Sequence, residues 1–243
     1  MFLFELYQTL IKKYSKDVRP FGPIEEWPKE WKTITYKVYE RFPLRALPPA
    51  DGDTNESIFA ILEKRKTRRT FGNDLSLRAL SQLLYFGVGE KKDEHDTDTP
   101  HRMYPSAGGR YPLECYVLLL KDIDDVSPGL YHYDVPSHGL RTLRTTPLSK
   151  QLLLEATAEA YVAHAVGALF LTGIPARSSL KYGERTYKLM LLEAGGVMEN
   201  LSLAGEALRI NTVHVGTCAE DVIEPYLDID GHNEVYLHAL FFG

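Results

Sequence analysis

Four short segments carry residue types that can do chemistry. The run KRKTRR at 64–69 places five cations in six residues. Three readings are open for it: a solvated helix end whose cations complement the helix dipole, a nucleic-acid patch, and an anion claw. In the claw, Arg65, Lys66, Thr67 and Arg69 would grip one phosphate through charge-assisted bonds. The segment RMYPSAGGRYPLECYV at 102–117 puts Pro105, Ser106, Ala107, Gly108 and Gly109 just before an apolar run. Small residues there let a backbone approach a flat ligand, and Ser106 offers a hydroxyl to ring heteroatoms; an ordinary Pro/Gly turn has the same composition. In SSLKYGERTYKLMLLEAGGVMENL at 178–201, Lys181 and Tyr182 are adjacent. A cation beside a tyrosine favours the phenolate and helps a proton transfer, whereas a snorkelling Lys beside a packed Tyr would do nothing. In HVGTCAED at 214–221 a strand runs through Gly216 toward a helix, where unpaired N–H groups can donate to an anion or an electron-rich ring atom.

The elements that must position these segments follow from periodicity. Residues 3–14 set Leu3, Tyr7, Leu10, Ile11 and Tyr14 on one helical face. Residues 17–54 carry six prolines and Trp27, Trp31, Tyr36, Tyr39 and Phe42; so many rings require an extended arm laid on a body. Asn55 or Ser57 caps a helix over 58–66 with Ile58, Ile61 and Leu62 inward. A second helix covers 75–87 with a Leu77, Leu80, Leu83, Leu84 stripe, and 91–101 is a charged loop. Residues 114–121 and 167–174 read as buried strands, 130–144 as a hairpin turning at Pro136–Gly139, and 148–165 as helix. The longest helical pattern runs from about 181 to 209 and carries Gly183, Gly195, Gly196 and Gly205, which implies close packing. Strands at 212–216 and 234–243 close the chain. The order predicts an α+β fold with antiparallel pairing at the hairpin.

At 243 residues the chain can bury an ample core, and 44% hydrophobic with 25% charged residues excludes collagen-like, disordered and disulfide-scaffold classes. The net charge of −5 argues against a generic nucleic-acid binder. Cys115 and Cys218 form neither a metal cluster nor a disulfide framework and fit a reducing compartment. The start MFLFELYQTL lacks a basic n-region and a cleavage site, and no stretch is long enough to span a bilayer. The expected location is cytoplasmic, with no membrane and no bound metal.

In this order and spacing the four segments resemble the nitroreductase superfamily, and within it the SagB/ThcOx-type azoline dehydrogenases that mature thiazole- and oxazole-containing peptides. Arg65-Lys66-Thr67-Arg68-Arg69-Thr70-Phe71 is similar to an opening R-R-S-x-R-x-F. Arg102, Pro105, Ser106, Ala107, Gly108, Pro112 and Glu114 follow R-x-x-P-S-A-G-x-x-x-P-x-E. Lys181 to Lys188 follow K-Y-G-x-R-x-Y-[RK], and Glu193-Ala194-Gly195 follows [ED]-A-G. The similarity spans about 2–243. Departures are Lys66 and Thr67 in the claw, Gly216-Thr217-Cys218 in place of G-G-F, and Gly196 where a histidine is common.

The resemblance implies a nitroreductase-like α+β fold with an arm and helix over 1–54, an FMN-binding body over 55–243, and an interlocked homodimer with FMN at the subunit interface. By similarity Arg65, Lys66, Thr67 and Arg69 hold the FMN phosphate, Pro105, Ser106 and Gly108 line the isoalloxazine, and Gly216 and Thr217 present N–H groups near flavin N5. Lys181 and Tyr182 are the implied catalytic pair, with Tyr182 as base and Lys181 favouring its phenolate. Aromatising an azoline removes a hydride equivalent to the flavin and a proton to that base. The implied partners are a peptide substrate and cyclodehydratase and leader-peptide-binding proteins. Two other readings are an NAD(P)H-dependent nitro- or quinone reductase and a flavin-free scaffold of a peptide-modifying complex. Cys218 is read as a buried inert thiol beside the flavin.

Overall fold

The computed structural model describes residues 3–14, 22–52, 56–72, 74–91 and 100–243. Seven strands form one sheet: β1 (Leu44–Ala46), β2 (Leu113–Leu119), β3 (Gly129–Asp134), β4 (Gly139–Arg144), β5 (Gly167–Gly173), β6 (Thr212–Val215) and β7 (Val235–Phe242). Their order is β1-β4-β3-β2-β5-β7-β6, with every pair antiparallel. The central strands β2 and β5 are buried at all seven positions. Burial on both faces explains why their sequences are near-continuous apolar runs without alternation.

Val117, Leu119, Leu169, Leu171, Leu240 and Phe242 share one core with α4 (Leu77–Val88) and α7 (Thr186–Ala207). Tyr116, Leu118, Ala168, Phe170 and Phe241 share the other with α5 (Lys150–Thr157) and α8 (Glu220–Leu227). The α+β class, the antiparallel hairpin and the Leu77, Leu80, Leu83, Leu84 stripe are thus as expected. Serine caps set three helix starts. Ser57, Ser76 and Ser149 each accept an N–H three residues on, at 3.2 Å, a cap worth roughly 1 kcal/mol. Ser57, and not Asn55, is the cap described; residues 53–55 lie outside the described residues, as do 92–99 of the charged loop.

Three expectations change. First, α3 (Ile58–Lys64) buries Ile61, but Ile58 and Leu62, expected inward, are 51% and 48% exposed in the single chain. Second, the helix expected over 148–165 ends at Thr157. The Thr157 hydroxyl donates to Leu153 O and accepts the Glu159 N–H, so the side chain competes with the helix. Ala158 turns left-handed at φ 54°, and a 3-10 turn follows over Ala160–His164. Third, the 181–209 pattern splits. α6 (Ala176–Tyr182) ends at Gly183, whose φ of 53° and ψ of −134° suit only glycine, and α7 starts at Thr186. Lys181 and Tyr182 therefore close α6 rather than open the long helix. Of the α7 glycines, Gly205 packs closely: an added Cβ would lie 2.7 Å from Thr212 Cγ2, while Gly195 and Gly196 face open space.

The N-terminal segment comprises α1 (Leu3–Tyr14), a turn at Ile24–Glu26, α2 (Lys29–Lys32) and the edge strand β1. Ile34 and Tyr36 pack on one core and Tyr39 on the other. No helix among the described residues is long and apolar enough to cross a membrane.

Candidate functional site

Two of the four segments meet at the C-terminal end of α6. Gly108, at φ 63°, faces the Lys181–Tyr182 pair so closely that a Cβ there would lie 2.8 Å from Lys181 Nζ and collide with the Tyr182 hydroxyl. Lys181 is only 8% exposed. Its ammonium lies 3.2 Å from the Trp27 ring centroid, 5.9 Å from Trp31 and 5.4 Å from Tyr182, an aromatic setting that attracts a cation. Burial pushes the Lys181 pKa down, and Arg110 adds to this. Burial pushes the Tyr182 pKa up, and the cation opposing that rise is Arg110. The Lys181 ammonium thus lies against the arm's tryptophans as well as near Tyr182.

The loop that presents Gly108 is tightly held. Ser106 Oγ donates to Glu193 Oε2 at 2.6 Å and accepts the Tyr111 N–H at 2.9 Å, so its proton is already engaged within the protein. Arg110 donates to the carbonyls of Arg177 (2.9 Å) and Trp31 (2.7 Å). Arg177 donates to Tyr111 O and pairs with Glu114 at 2.6 Å. Glu114 also contacts His132 Nε2 at 2.7 Å. Although burial opposes it, the His132 and Arg177 contacts pull the Glu114 pKa down to about 2. Glu193, in α7, is instead raised to about 7 by burial. Pro105 is exposed at the start of the loop.

The other two segments meet along β6. The Arg68 N–H donates to Thr212 O, and Asn211 donates to Thr70 O, so the basic run lies beside the start of this strand. Arg68 forms a bidentate pair with Glu206 of α7, and Lys64 pairs with Glu56. Arg65, Lys66, Thr67 and Arg69 are exposed, and none of the three cations has an ion pair among the described residues. Arg69 lies over the Tyr161 ring at 5.7 Å. At the far end of β6, Gly216 and Thr217 are exposed, and Cys218 is buried with its thiol pKa raised by burial. Burial keeps that thiol protonated and unreactive.

Between these ends sits a pair no motif marked. His214 Nε2 is 2.7 Å from Ser202 Oγ, and His214 Nδ1 is 3.0 Å from His238 Nε2. Because the Ser202 hydroxyl donates to Met198 O, His214 donates from Nε2 and accepts from His238. Burial lowers both rings to about 4, the pair's mutual repulsion and Arg65 adding to the effect on His214. Their signal was a histidine at an inward register of two paired strands. Sequence reasoning also passed over Arg177 and the clamp on Lys181, which only tertiary contact reveals.

Within one chain the two clusters stay apart. Glu193 marks one and Glu206 the other, thirteen residues along α7, or about 20 Å of helix. A cleft of about 820 Å³ opens beside the first cluster, between Lys29–Lys37, Arg110, Leu180 and Asn233-Glu234.

The sequence pattern of the nitroreductase family matches residues 62–243. The chain is 30% identical to the nitroreductase-like protein MJ1384 of Methanocaldococcus jannaschii over 70% of this chain and 82% of that protein. It is 28% identical to the trifolitoxin-processing protein TfxB of Rhizobium leguminosarum over 69% of this chain. It is 26% identical to the microcin B17-processing protein McbC of Escherichia coli over 70%. It spans 47% and 63% of those two proteins' lengths. Among solved structures, a nitroreductase-fold protein of Ralstonia eutropha superposes with a TM-score of 0.69 at 21% identity, covering 93% of this chain and 98% of that one. A chain of the E. coli microcin synthetase McbBCD complex with truncated pro-MccB17 bound gives 0.61 at 20% identity, covering 98% and 93%. Both show the same fold.

Proposed function

Because the chain belongs to the nitroreductase family, we propose that it is an FMN-dependent dehydrogenase that oxidises azoline rings in a ribosomally made peptide. The observation that carries this reading is the meeting of Gly108 with Lys181 and Tyr182, a buried lysine and a half-buried tyrosine set against a glycine that has no side chain. Similarity to two peptide-processing proteins supports a peptide substrate. The cleft beside the pair has room for one.

The residues present fit FMN. A chain of net charge −5 leaves three exposed cations of one run unpaired while Lys64 and Arg68 are neutralised, the donor set that a phosphate requires. Arg65, Lys66, Thr67 and Arg69 would hold that phosphate. Pro105, Ser106 and Gly108 would line the ring, and Gly216 and Thr217 would offer N–H groups to it. When bound, FMN supplies the two-electron acceptor. The chain's residues do the rest: Tyr182, having released its own proton to solvent, would take the ring proton as its phenolate, Arg110 is the cation that favours that phenolate against burial, and the Trp27–Trp31 clamp holds Lys181 beside it.

Glu193, beside the Ser106–Gly108 loop, and Glu206, beside Arg68 of the basic run, are about 20 Å apart along α7, and we propose that one site is completed by two chains. Ile58, Phe59 and Leu62 on α3 and Tyr187, Leu191 and Leu192 on α7 are exposed apolar residues suited to such a homodimer. Cyclodehydratase and leader-binding proteins would supply the cyclised peptide, in the cytoplasm.

The test is purified protein with FMN and an azoline-containing peptide, read as a two-dalton mass loss per ring. Arg65→Ala/Arg69→Ala should lose FMN on dilution, because each charge-assisted bond is worth roughly 1.5–3 kcal/mol. Rapid NADPH-dependent reduction of nitroaromatics with azolines untouched would replace this reading by that of a reductase.

A further inference from the structure

Glu193 is a carboxyl that the fold buries without an ion pair. It is 5% exposed, on the face of α7 that also buries Met190, Ala194 and Val197. Such burial is costly unless the charge is paired and fully hydrogen-bonded. Arg102 and Arg177 act on Glu193 through space, and Tyr104 feels its charge, but both arginines are engaged elsewhere. Arg177 goes to Glu114 and Tyr111 O, and Arg102 to Tyr104 OH and Leu113 O. Glu193 receives one hydrogen bond, from Ser106, and its Oε1 has none among the described residues.

Ser106 passes that contact on. Its Oγ accepts the Tyr111 N–H, so the hydroxyl spans a loop in which Gly108, Gly109 and Tyr111 are all left-handed, at φ 63°, 64° and 46°. Tyrosine rarely adopts this region, and such strain persists only where the surroundings impose it. Gly108, at the crest, is the residue packed on Tyr182 and Lys181.

We infer that Glu193 is a positioning residue: through Ser106 and the Tyr111 N–H it holds the 106–111 loop in its strained form and so keeps Gly108 against the Lys181–Tyr182 pair. The functional consequence rests on reading that pair as the reacting groups; the hold on the loop does not.

The experiment measures trypsin cleavage after Arg110, a residue 4% exposed in the closed loop, in flavin-free protein. Glu193→Ala and Ser106→Ala should each speed that cut about tenfold, and the double variant should be no faster than either single one, as for members of one chain of contacts. Glu193→Gln keeps an oxygen for the Ser106 hydroxyl and should stay within about twofold of wild type. FMN titration of the same variants should follow the same order. Melting temperatures and cleavage at other sites separate loop release from general loosening. Unchanged cleavage in Glu193→Ala, additive effects in the double variant, or a uniform rise at all trypsin sites would overturn the inference. Failure of the azoline assay with loop protection intact would overturn only the proposed function.

Discussion

Tyr182, half-buried, and Glu193, buried, are two acids whose pKa burial raises. Burial raises the Tyr182 pKa and Arg110 opposes the rise, so the phenolate that would accept the ring proton depends on Arg110. Tyr182→Phe keeps the ring and its packing on Gly108 while removing the oxygen. Azoline oxidation should fall by 10²–10⁴-fold, as for loss of a positioned base, with FMN occupancy and melting temperature unchanged. Oxidation at the wild-type rate would remove Tyr182 from the mechanism. Glu193 titrates at about 7 in the fold against 4.5 when free. Between those values the folded chain holds the extra proton, so stability falls as pH rises through that window, by up to about 3 kcal/mol. Glu193→Gln removes the charge that must be buried. It should be more stable than wild type at pH 8 and gain nothing at pH 4.5, as read by urea unfolding at both pH values. An equal difference at the two would show that Glu193 does not titrate in this range.

β6 is the element that ties the basic run to the Gly216–Thr217 turn, and its His214, paired with His238 of β7, makes it acid-sensitive. His214 and His238 titrate near 4 in the fold and 6.5 when unfolded. The unfolded chain therefore binds more protons across that window, and the stability they secure is complete above pH 6.5 and lost as pH falls toward 4. Ser202, the Met198 carbonyl, Arg65 and the Gly216 turn face the pair, and none offers a negative charge. His214→Phe/His238→Leu should flatten the loss of unfolding free energy between pH 7 and 4.5; a wild-type slope in that variant would sink the assignment. The sequence disclosed elements of this kind well where period and composition agree. β2 and β5 are apolar throughout, and α4 shows its leucine stripe. It failed where one residue overrides the period: Gly183 cuts the 181–209 pattern by its backbone angle, and Thr157 ends α5 through its own hydroxyl. The four chemical segments were legible because each is local. The Glu193–Ser106 contact, the Trp27–Lys181 clamp and the histidine pair join residues 24 to 154 positions apart, from His214–His238 to Trp27–Lys181, and no local pattern encodes them.

At the scale of the molecule, the spacing of the two clusters sets the argument. Helix α7 runs between them, with Glu193 bonded to Ser106 of the Gly108 loop and Glu206 to Arg68 of the basic run. Glu193 and Glu206 are about 20 Å apart along the helix, and in the proposed composite site a two-fold partner would bring its claw to the first chain's Lys181 and Tyr182. Such an interface is isologous, so two composite sites form per dimer. Gly195 and Gly196, open on one chain beside Leu191 and Leu192, are where a second backbone could come close. The decisive test mixes two inactive proteins. One carries Arg65→Ala/Arg69→Ala and keeps its Lys181–Tyr182 pair; the other carries Tyr182→Phe and keeps its claw. After unfolding and co-refolding in equal amounts, half of the dimers are hybrids. Each hybrid has one site built from two mutated halves and one built from two intact halves. Azoline oxidation should return to about a quarter of wild type, with FMN bound, from two preparations that are each inactive. If claw and pair belonged to the same chain's site, every site in the mixture would carry one defect and the mixture would stay as inactive as its parts.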